Sequence, residues 1–474
     1  MRDEFRTYRA GAAAVMLTIL LSHLPASAQI SVLFTPGASH TGGANSSFKT
    51  ALIDFMKSAK KSIEIAVFSF SDREIIEALN TIQTAGVVTI KVVVDDNNGA
   101  VKTTDGSVSL SSSVVTKFDD RPDLEMHHKF VIIDRGESDA AVWTGSANFN
   151  RPNMTTMNNN AVILRSKEVA ATYGAEFDYM FTNALFHTNK TTPSTTTVFT
   201  VSGIPVEIRF APRDQPVNRM VDAVNSLSQS LYFAIFASGN GSLLSAMIAK
   251  KSAIGANNFG WFDKSFTENS ASAASFFSDL STAGYDVRKD DNSDVMHHKY
   301  MVIDGAKVFT GSMNFTVAGN ADNDENSVYI QDAAIAKAYM AELARIANTT
   351  IGGVTASDWK ESSSFGSASS ASTTSTAATE PSAGALVALS YPNPFNAHTS
   401  GSITIESRPK ATIASVKIFS PDGRIVTTIP GSAAKTVTWN GRNTRGDLMG
   451  SGMYYVEIET QSSGTARGML PLVR

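Results

Sequence analysis

The chain of 474 residues has no cysteine, only four tryptophans and no excess of either charge: 40 Lys and Arg stand against 44 Asp and Glu, a net charge of −4. Each absence excludes something. Without thiols there is no disulfide framework, no cysteine-ligated zinc or iron–sulfur site and no cysteine nucleophile. The near balance of charge excludes a strongly basic nucleic-acid coater and a highly acidic disordered chain, although not a local basic patch. No apolar run reaches the roughly 20 residues that a bilayer-spanning helix needs. What is present is a chain that is 42% hydrophobic, enough to give each of about three domains its own core.

The N-terminus reads as an export signal. Arg2, Arg6 and Arg9 precede an uncharged run from Gly11 to Leu21, followed by Pro25 and Ala26-Ser27-Ala28. This order of basic, apolar and small residues is that of a secretory signal peptide over 1–28. Its removal would take away three Arg with Asp3 and Glu4, making the net charge of −4 more negative by one. The mature protein is expected to be secreted or held at the cell surface, where a chain without thiols cannot form wrong disulfides.

An internal repeat organises the middle of the chain. VLFTP at Val32 to Pro36 returns as VEIRFAP at Val206 to Pro212, each followed by a helical stretch. The apolar strands IEIAVFSF and LYFAIFAS come next, and both copies arrive at MHHK. Alternating strands and helices in two similar units predict a duplicated α/β fold: two lobes, each a mixed sheet flanked by helices, over 29–200 and 201–352. Residues 353–385, rich in Ser, Ala and Thr, read as a flexible linker. From 386 to 474, short alternating strands separated by glycine turns, with no helix signal, predict a small all-β sandwich.

The residues that carry chemistry sit at the end of each copy. The first has His127, His128 and Lys129, four apolar residues, Asp134, then Gly145, Ser146, Ala147 and Asn148. The second has His297, His298 and Lys299, then Asp304, then Gly311, Ser312, Met313 and Asn314. In an extended chain, residues two apart share a face, so each His127/Lys129 and His297/Lys299 pair points together while His128 and His298 face away. The aspartates have the opposite parity. The first hairpin is four residues longer, around Gly136 to Asp139.

Two such HxK…D motifs, each with a downstream GSxN, resemble the HKD motif of the phospholipase D superfamily, over roughly residues 30–350. The stretch from His297 through Asp324-Glu325-Asn326 is similar to the compact bacterial branch of endonucleases and cardiolipin-hydrolase-like enzymes. Displacement at a phosphodiester needs a nucleophile, a proton donor for the leaving alkoxide, and positive charge on the non-bridging oxygens. The resemblance implies that His127 and His297 form a phosphohistidine and donate the proton, that Lys129 and Lys299 clamp the phosphate, and that Asn148 and Asn314 donate hydrogen bonds to it, helped by Ser146 and Ser312. It implies a mainly structural role for Asp134 and Asp304, no metal and no cofactor.

The halves differ further on. Glu325 stands in the second copy where the first has Asn159, and the resemblance makes that glutamate a support for the catalytic histidine. A carboxylate favours imidazolium and an amide does not. This leads to His127 as the neutral nucleophile and His297 as the proton donor, unless a carboxylate such as Asp95 or Asp96 serves His127.

The tail carries Tyr391-Pro392-Asn393-Pro394-Phe395-Asn396, PDGR from Pro421 to Arg424, Trp439-Asn440-Gly441 and Ser451-Gly452-Met453-Tyr454. It resembles the Ig-like C-terminal domain related to the flagellar hook-capping protein, a type IX secretion sorting tail, which implies secretion machinery as a partner. For the active site the expected partner is phospholipid at a membrane surface, acted on by a monomer with an intrachain site. A metal-independent endonuclease acting on nucleic acid is the alternative, and a non-catalytic surface binding protein the second.

Overall fold

The computed structural model describes residues 29–38, 48–358 apart from 120, 193, 195 and 196, then 364–365 and most of 387–473. The expected signal peptide, most of the Ser/Ala/Thr linker and the PDGR segment lie outside the described residues. The chain forms two compact units, 1–370 and 371–474. No helix among the described residues is long and apolar enough to cross a membrane.

Both lobes lie in the first unit, each built on an eight-stranded mixed sheet. In the first sheet the order is Ser364–Phe365, Ile30–Phe34, Asn160–Arg165, Ala141–Gly145, Lys129–Ile133, Ser62–Val67, Thr89–Val94 and Val115–Phe118. The last three run parallel to one another and the remaining pairings are antiparallel. The second sheet repeats this order: Val198–Val201, Ile204–Ala211, Glu325–Gln331, Lys307–Gly311, Lys299–Ile303, Leu231–Ile235, Asn258–Phe262 and Val287–Lys289. The strand that follows each histidine pair is therefore interior to its sheet, which is why its run is apolar on both faces and wholly buried.

Local sequence explains the helices. Asp72 caps Arg73–Ala85 by accepting from the backbone of Glu74 and Ile75, and Gly86 ends it in the left-handed region at φ 70°. The buried Ile75, Ile76 and Leu79 of that helix join Leu52, Phe55 and Trp143 in a core on the outer face of the first sheet. Met220, Met247, Phe262 and Phe276 do the same in the second lobe. A third core is shared: Phe34, Met126 and Phe130 of one lobe meet Phe210, Met296 and Tyr300 of the other, with Tyr173 and Tyr339 from helices Lys167–Phe181 and Ala333–Ile346. This shared core holds the two lobes together and fixes how the two MHHK segments meet.

Two expected boundaries move. Val198–Val201 belongs to the second sheet, paired with Ile204–Ala211. Within the expected linker, Ser364–Phe365 pairs antiparallel with Ile30 and Ser31. The physical reason is that Ile30–Phe34 would otherwise be an edge strand with unpaired backbone groups. The other unit is all-β, its strands hydrogen-bonded in the order Ile425–Pro430, Ile413–Phe419, Gly452–Thr460, Thr465–Val473, Val387–Tyr391, Ile403–Arg408 and Thr436–Trp439. Its core gathers Ile403, Ile405, Val416, Ile418, Trp439, Tyr454 and Ile458.

Candidate active site

The two MHHK segments approach through backbone pairing across the lobe boundary. The His127 N–H donates to Asp324 O at 2.9 Å, and the His297 N–H donates to Asn158 O at 2.9 Å. Isolated bridges Met126–Asp324 and Asn158–Met296 repeat that relation. Each segment therefore reads the other lobe at the position just before Glu325 or Asn159.

The consequence overturns one expectation. Glu325 does not serve the histidine of its own lobe: its Oε1 lies 2.7 Å from Nδ1 of His127. Nδ1 of His297 lies 2.9 Å from Oδ1 of Asn159 instead. The carboxylate is on the first histidine and the amide on the second, the reverse of what the linear order suggested. Nδ1 of His127 thus faces Glu325, while Oδ2 of Asp95 accepts the Met126 N–H at 3.0 Å.

Lys129 and Lys299 are each only 1% exposed. Their ammonium groups donate to the backbone carbonyls of His127 at 2.8 Å and His297 at 3.0 Å. Burial pushes Lys129 down to about 8, and burial with the neighbouring Lys129 holds Lys299 well below the usual lysine value. The imidazoles of His127 and His297 are both held well below the usual histidine range, first by burial and then by the lysines. Burial raises Glu325 to about 7, against the pull of Lys129. Two buried lysines beside two imidazoles held towards their neutral form make a centre with hydrogen-bond donors suited to an anion.

The GSxN residues support these groups. A Cβ on Gly145 or Gly311 would run into the carbonyl oxygen of Asn160 or Asn326, so only glycine allows the approach. Ser146 donates to Oδ1 of Asn159 at 2.8 Å and accepts from the Asn160 N–H. Ser312 accepts from the Asn326 N–H at 2.9 Å, and its hydroxyl also helps to keep Glu325 ionised. The Asn314 N–H points at Oε1 of Glu325, 3.4 Å away. Oδ1 of Asn148 and of Asn314 is buried with no hydrogen-bond partner among the described residues.

Asp134 and Asp304 are not brought to this centre. Each lies at the far end of its strand in the left-handed region, at φ 52° and 53°. Asp134 accepts the backbone N–H groups of Lys60, Lys61 and Ser62, and Asp304 those of Ser228, Gln229 and Ser230. They tie the start of the neighbouring strand to the hairpin. His128 and His298 face away, as parity requires, and meet Glu176 at 3.0 Å and Glu342 at 2.9 Å.

Sequence reasoning missed several participants. Phe68 and Phe236 stand in corresponding places, with ring centroids 5.0 Å from His127 and 4.8 Å from His297. Nζ of Lys129 and of Lys299 lies 5.4 and 4.7 Å from those same rings. Their signal was the matching position in AVFSF and AIFAS. Lys190, 2.5 Å from both Glu176 and Asp324, also went unread. His128, Glu176 and Asp324 have the spacing of a metal-ligand set, but the Lys190 ammonium already stands as their cation. Asp95, Asp96 and Asp119 cluster as well; Asp119 accepts from His187 Nε2 at 3.1 Å and the Asp96 N–H at 2.6 Å.

Comparison with known proteins bears on the family and the fold. The family described as cardiolipin synthase, PLD-like domain, matches residues 52–181 and 220–347. A mitochondrial cardiolipin hydrolase of Xenopus tropicalis is 43% identical over 76 residues, covering 16% of this chain and 36% of that protein. A phospholipase D of Rickettsia bellii is 30% identical over 131 residues, covering 28% and 63%. The chain thus spans less than two thirds of the length of these curated relatives. The crystal structure of a phosphatidylserine synthase from Haemophilus influenzae superposes with a TM-score of 0.50 at 14% identity, covering 68% of this chain and 84% of that one. Two matched copies over more than half the sequence, folded into paired lobes, place the chain in the phospholipase D-like family.

Proposed function

We propose that the protein is an exported phosphodiesterase that hydrolyses phospholipid through a phosphohistidine intermediate, with His127 as nucleophile and His297 as general acid. The observation that carries the assignment is the cross-lobe pairing of Glu325 with His127 and of Asn159 with His297. With its proton on Nδ1 facing Glu325, His127 presents the Nε2 lone pair to phosphorus. Forming the P–N bond puts positive charge on that ring, which the carboxylate stabilises. The expulsion of the alcohol breaks the P–O bond, and the alkoxide takes the proton of His297. The amide of Asn159 gives that proton no anionic counterweight, so it is readily released. The bound phosphodiester anion opposes the burial and the repulsion of Lys299 and Lys129 that otherwise keep His297 neutral. Water then attacks phosphorus and passes its proton to His297, and the P–N electrons return to His127.

The assignment of His127 as nucleophile is thus kept, but for the opposite reason to the one the linear sequence offered. The order of basic, apolar and small residues in 1–28 supports export, and the resemblance of the β tail supports delivery by secretion machinery. The test sets phosphatidylcholine vesicles beside plasmid DNA, with and without EDTA, using wild type, His127→Ala and His297→Ala. Phospholipid hydrolysis that survives EDTA and is lost in both variants is expected. DNA cleavage alone would replace this reading by the endonuclease, and no turnover on either would favour a binding protein.

A further inference from the structure

The segment joining the two lobes runs from the helix that ends at Phe181 to the strand that begins at Val198. It places Phe186 in the shared core, and it also buries His187 and Lys190. Nζ of Lys190 lies 2.5 Å from both Oε1 of Glu176 in the first lobe and Oδ1 of Asp324 in the second. The His187 N–H donates to the same Asp324 oxygen at 2.9 Å, and His187 Nε2 lies 3.1 Å from Oδ2 of Asp119. Nη2 of Arg213, 2.6 Å from Oε2 of Glu176, completes the group. Burial works against the charge of Lys190, yet Asp324 and Glu176 together hold it above the usual lysine value.

Asp324 is the residue through which this group reaches the site. Its carbonyl accepts the His127 N–H and its own N–H donates to Glu125 O, both at 2.9 Å. Successive residues of an extended chain face opposite ways. With the Asp324 side chain held by Lys190, the next residue, Glu325, is turned towards Nδ1 of His127.

The other crossing is built without charge. Asn158 stands where Asp324 does, and its Oδ1 accepts from the neutral Asn292 at 2.7 Å. The stretch after the second lobe's helix, from Ala347 to Val354, holds no charged residue. Arg345, which pairs with Glu342, turns to the carbonyls of Thr35 and Pro36. Buried ion pairs are costly to desolvate and a poor source of net stability. This group stands only at the crossing that carries the carboxylate.

We propose that Lys190 is a positioning residue for the nucleophile: acting through Asp324, it sets the Glu325 carboxylate on His127. The inference rests on the phosphodiesterase reading of the site, but not on which phosphodiester is the substrate. Its effect is on the distance and angle at which Glu325 meets Nδ1, where a misplacement of about 1 Å can cost about 10²-fold.

The test is a double-mutant cycle on bis(p-nitrophenyl) phosphate, whose p-nitrophenolate leaves without a proton, so that the readout isolates the nucleophile. Both kcat and KM are measured for wild type, Lys190→Met, Glu325→Gln and the double variant, then again with Asp324→Asn in place of Lys190→Met. Asparagine keeps the shape of Asp324 and an acceptor for the His187 N–H, so it serves if methionine at 190 prevents folding. A melting curve reports folding for each variant. Lys190→Met is expected to lower kcat about tenfold with KM within about twofold. Once Glu325 is glutamine, the same substitution should change kcat by less than about twofold. Asp324→Asn should follow the same pattern. An equal loss in both backgrounds, or a loss in neither, would overturn the inference and leave the proposed function standing. A wild type that turns over no diester would overturn both.

Discussion

Glu325, carried by the second lobe, sets its carboxylate 2.7 Å from Nδ1 of His127, carried by the first. The contact joins residues 198 apart, and it makes two similar halves into one site with two distinct histidines.

If that carboxylate holds the charge on a phosphorylated His127, a rapid quench should trap phosphate on His127 and not on His297. Peptide mapping of the labelled protein checks this. Label on His297 would reverse the roles. Glu325→Gln should lower kcat about 10²-fold, the usual loss when one preorganised electrostatic partner is removed, with little change in KM.

The pH dependence follows from two shifted groups. The active form needs Glu325 ionised and Lys129 protonated. Glu325 is raised to about 7, so kcat, which reports the complex in which the bound phosphodiester lets His297 hold its proton, should climb as pH rises through that value. Lys129 is lowered to about 8, so activity should fall above it. The profile is expected to be a narrow bell, and in Glu325→Gln its acid limb should disappear. A flat profile from pH 6 to 9 (roughly one unit beyond each shifted group) would contradict both assignments.

The rings of Phe68 and Phe236 hold an imidazole edge and an ammonium at once. Phe68→Leu should lower kcat about tenfold, with KM nearly unchanged. Loss of the cation–π contact should move the alkaline limb to lower pH. Phe68→Tyr should restore both. A drop in activity with no movement of the limb would limit the ring to packing.

Asp134 belongs to stability. It accepts three backbone N–H groups at 2.7 to 3.1 Å, all at the start of the neighbouring strand. Asp134→Ala should cost about 2–4 kcal/mol, because the donors lose a charged acceptor. Urea unfolding measures the cost, and the folded fraction at low temperature should keep its turnover. Complete loss of turnover in folded protein would return Asp134 to the chemistry.

Much of the architecture was legible in particular residues. The period-two alternation of MHHK separated His127 and Lys129 from His128, and the opposite parity of Asp134 placed it off the site. The copying of VLFTP into VEIRFAP announced the second sheet. The Ser/Ala/Thr segment misled over Ser364–Phe365, because composition does not show that Ile30–Phe34 lacks a neighbour. Glu176 and Glu342, which meet the outward histidines, lie mid-helix without any local pattern to mark them.

The sequence by itself determined the duplication, the candidate residues of the site and the face on which each one stands, because these depend on local geometry and on spacing along one strand. Only the tertiary structure decided which carboxylate serves which histidine. Side chains from two strands of different lobes meet through packing of the shared core of Phe34, Phe130, Phe210 and Tyr300. That crossing swaps the partners, and no spacing along the chain records it.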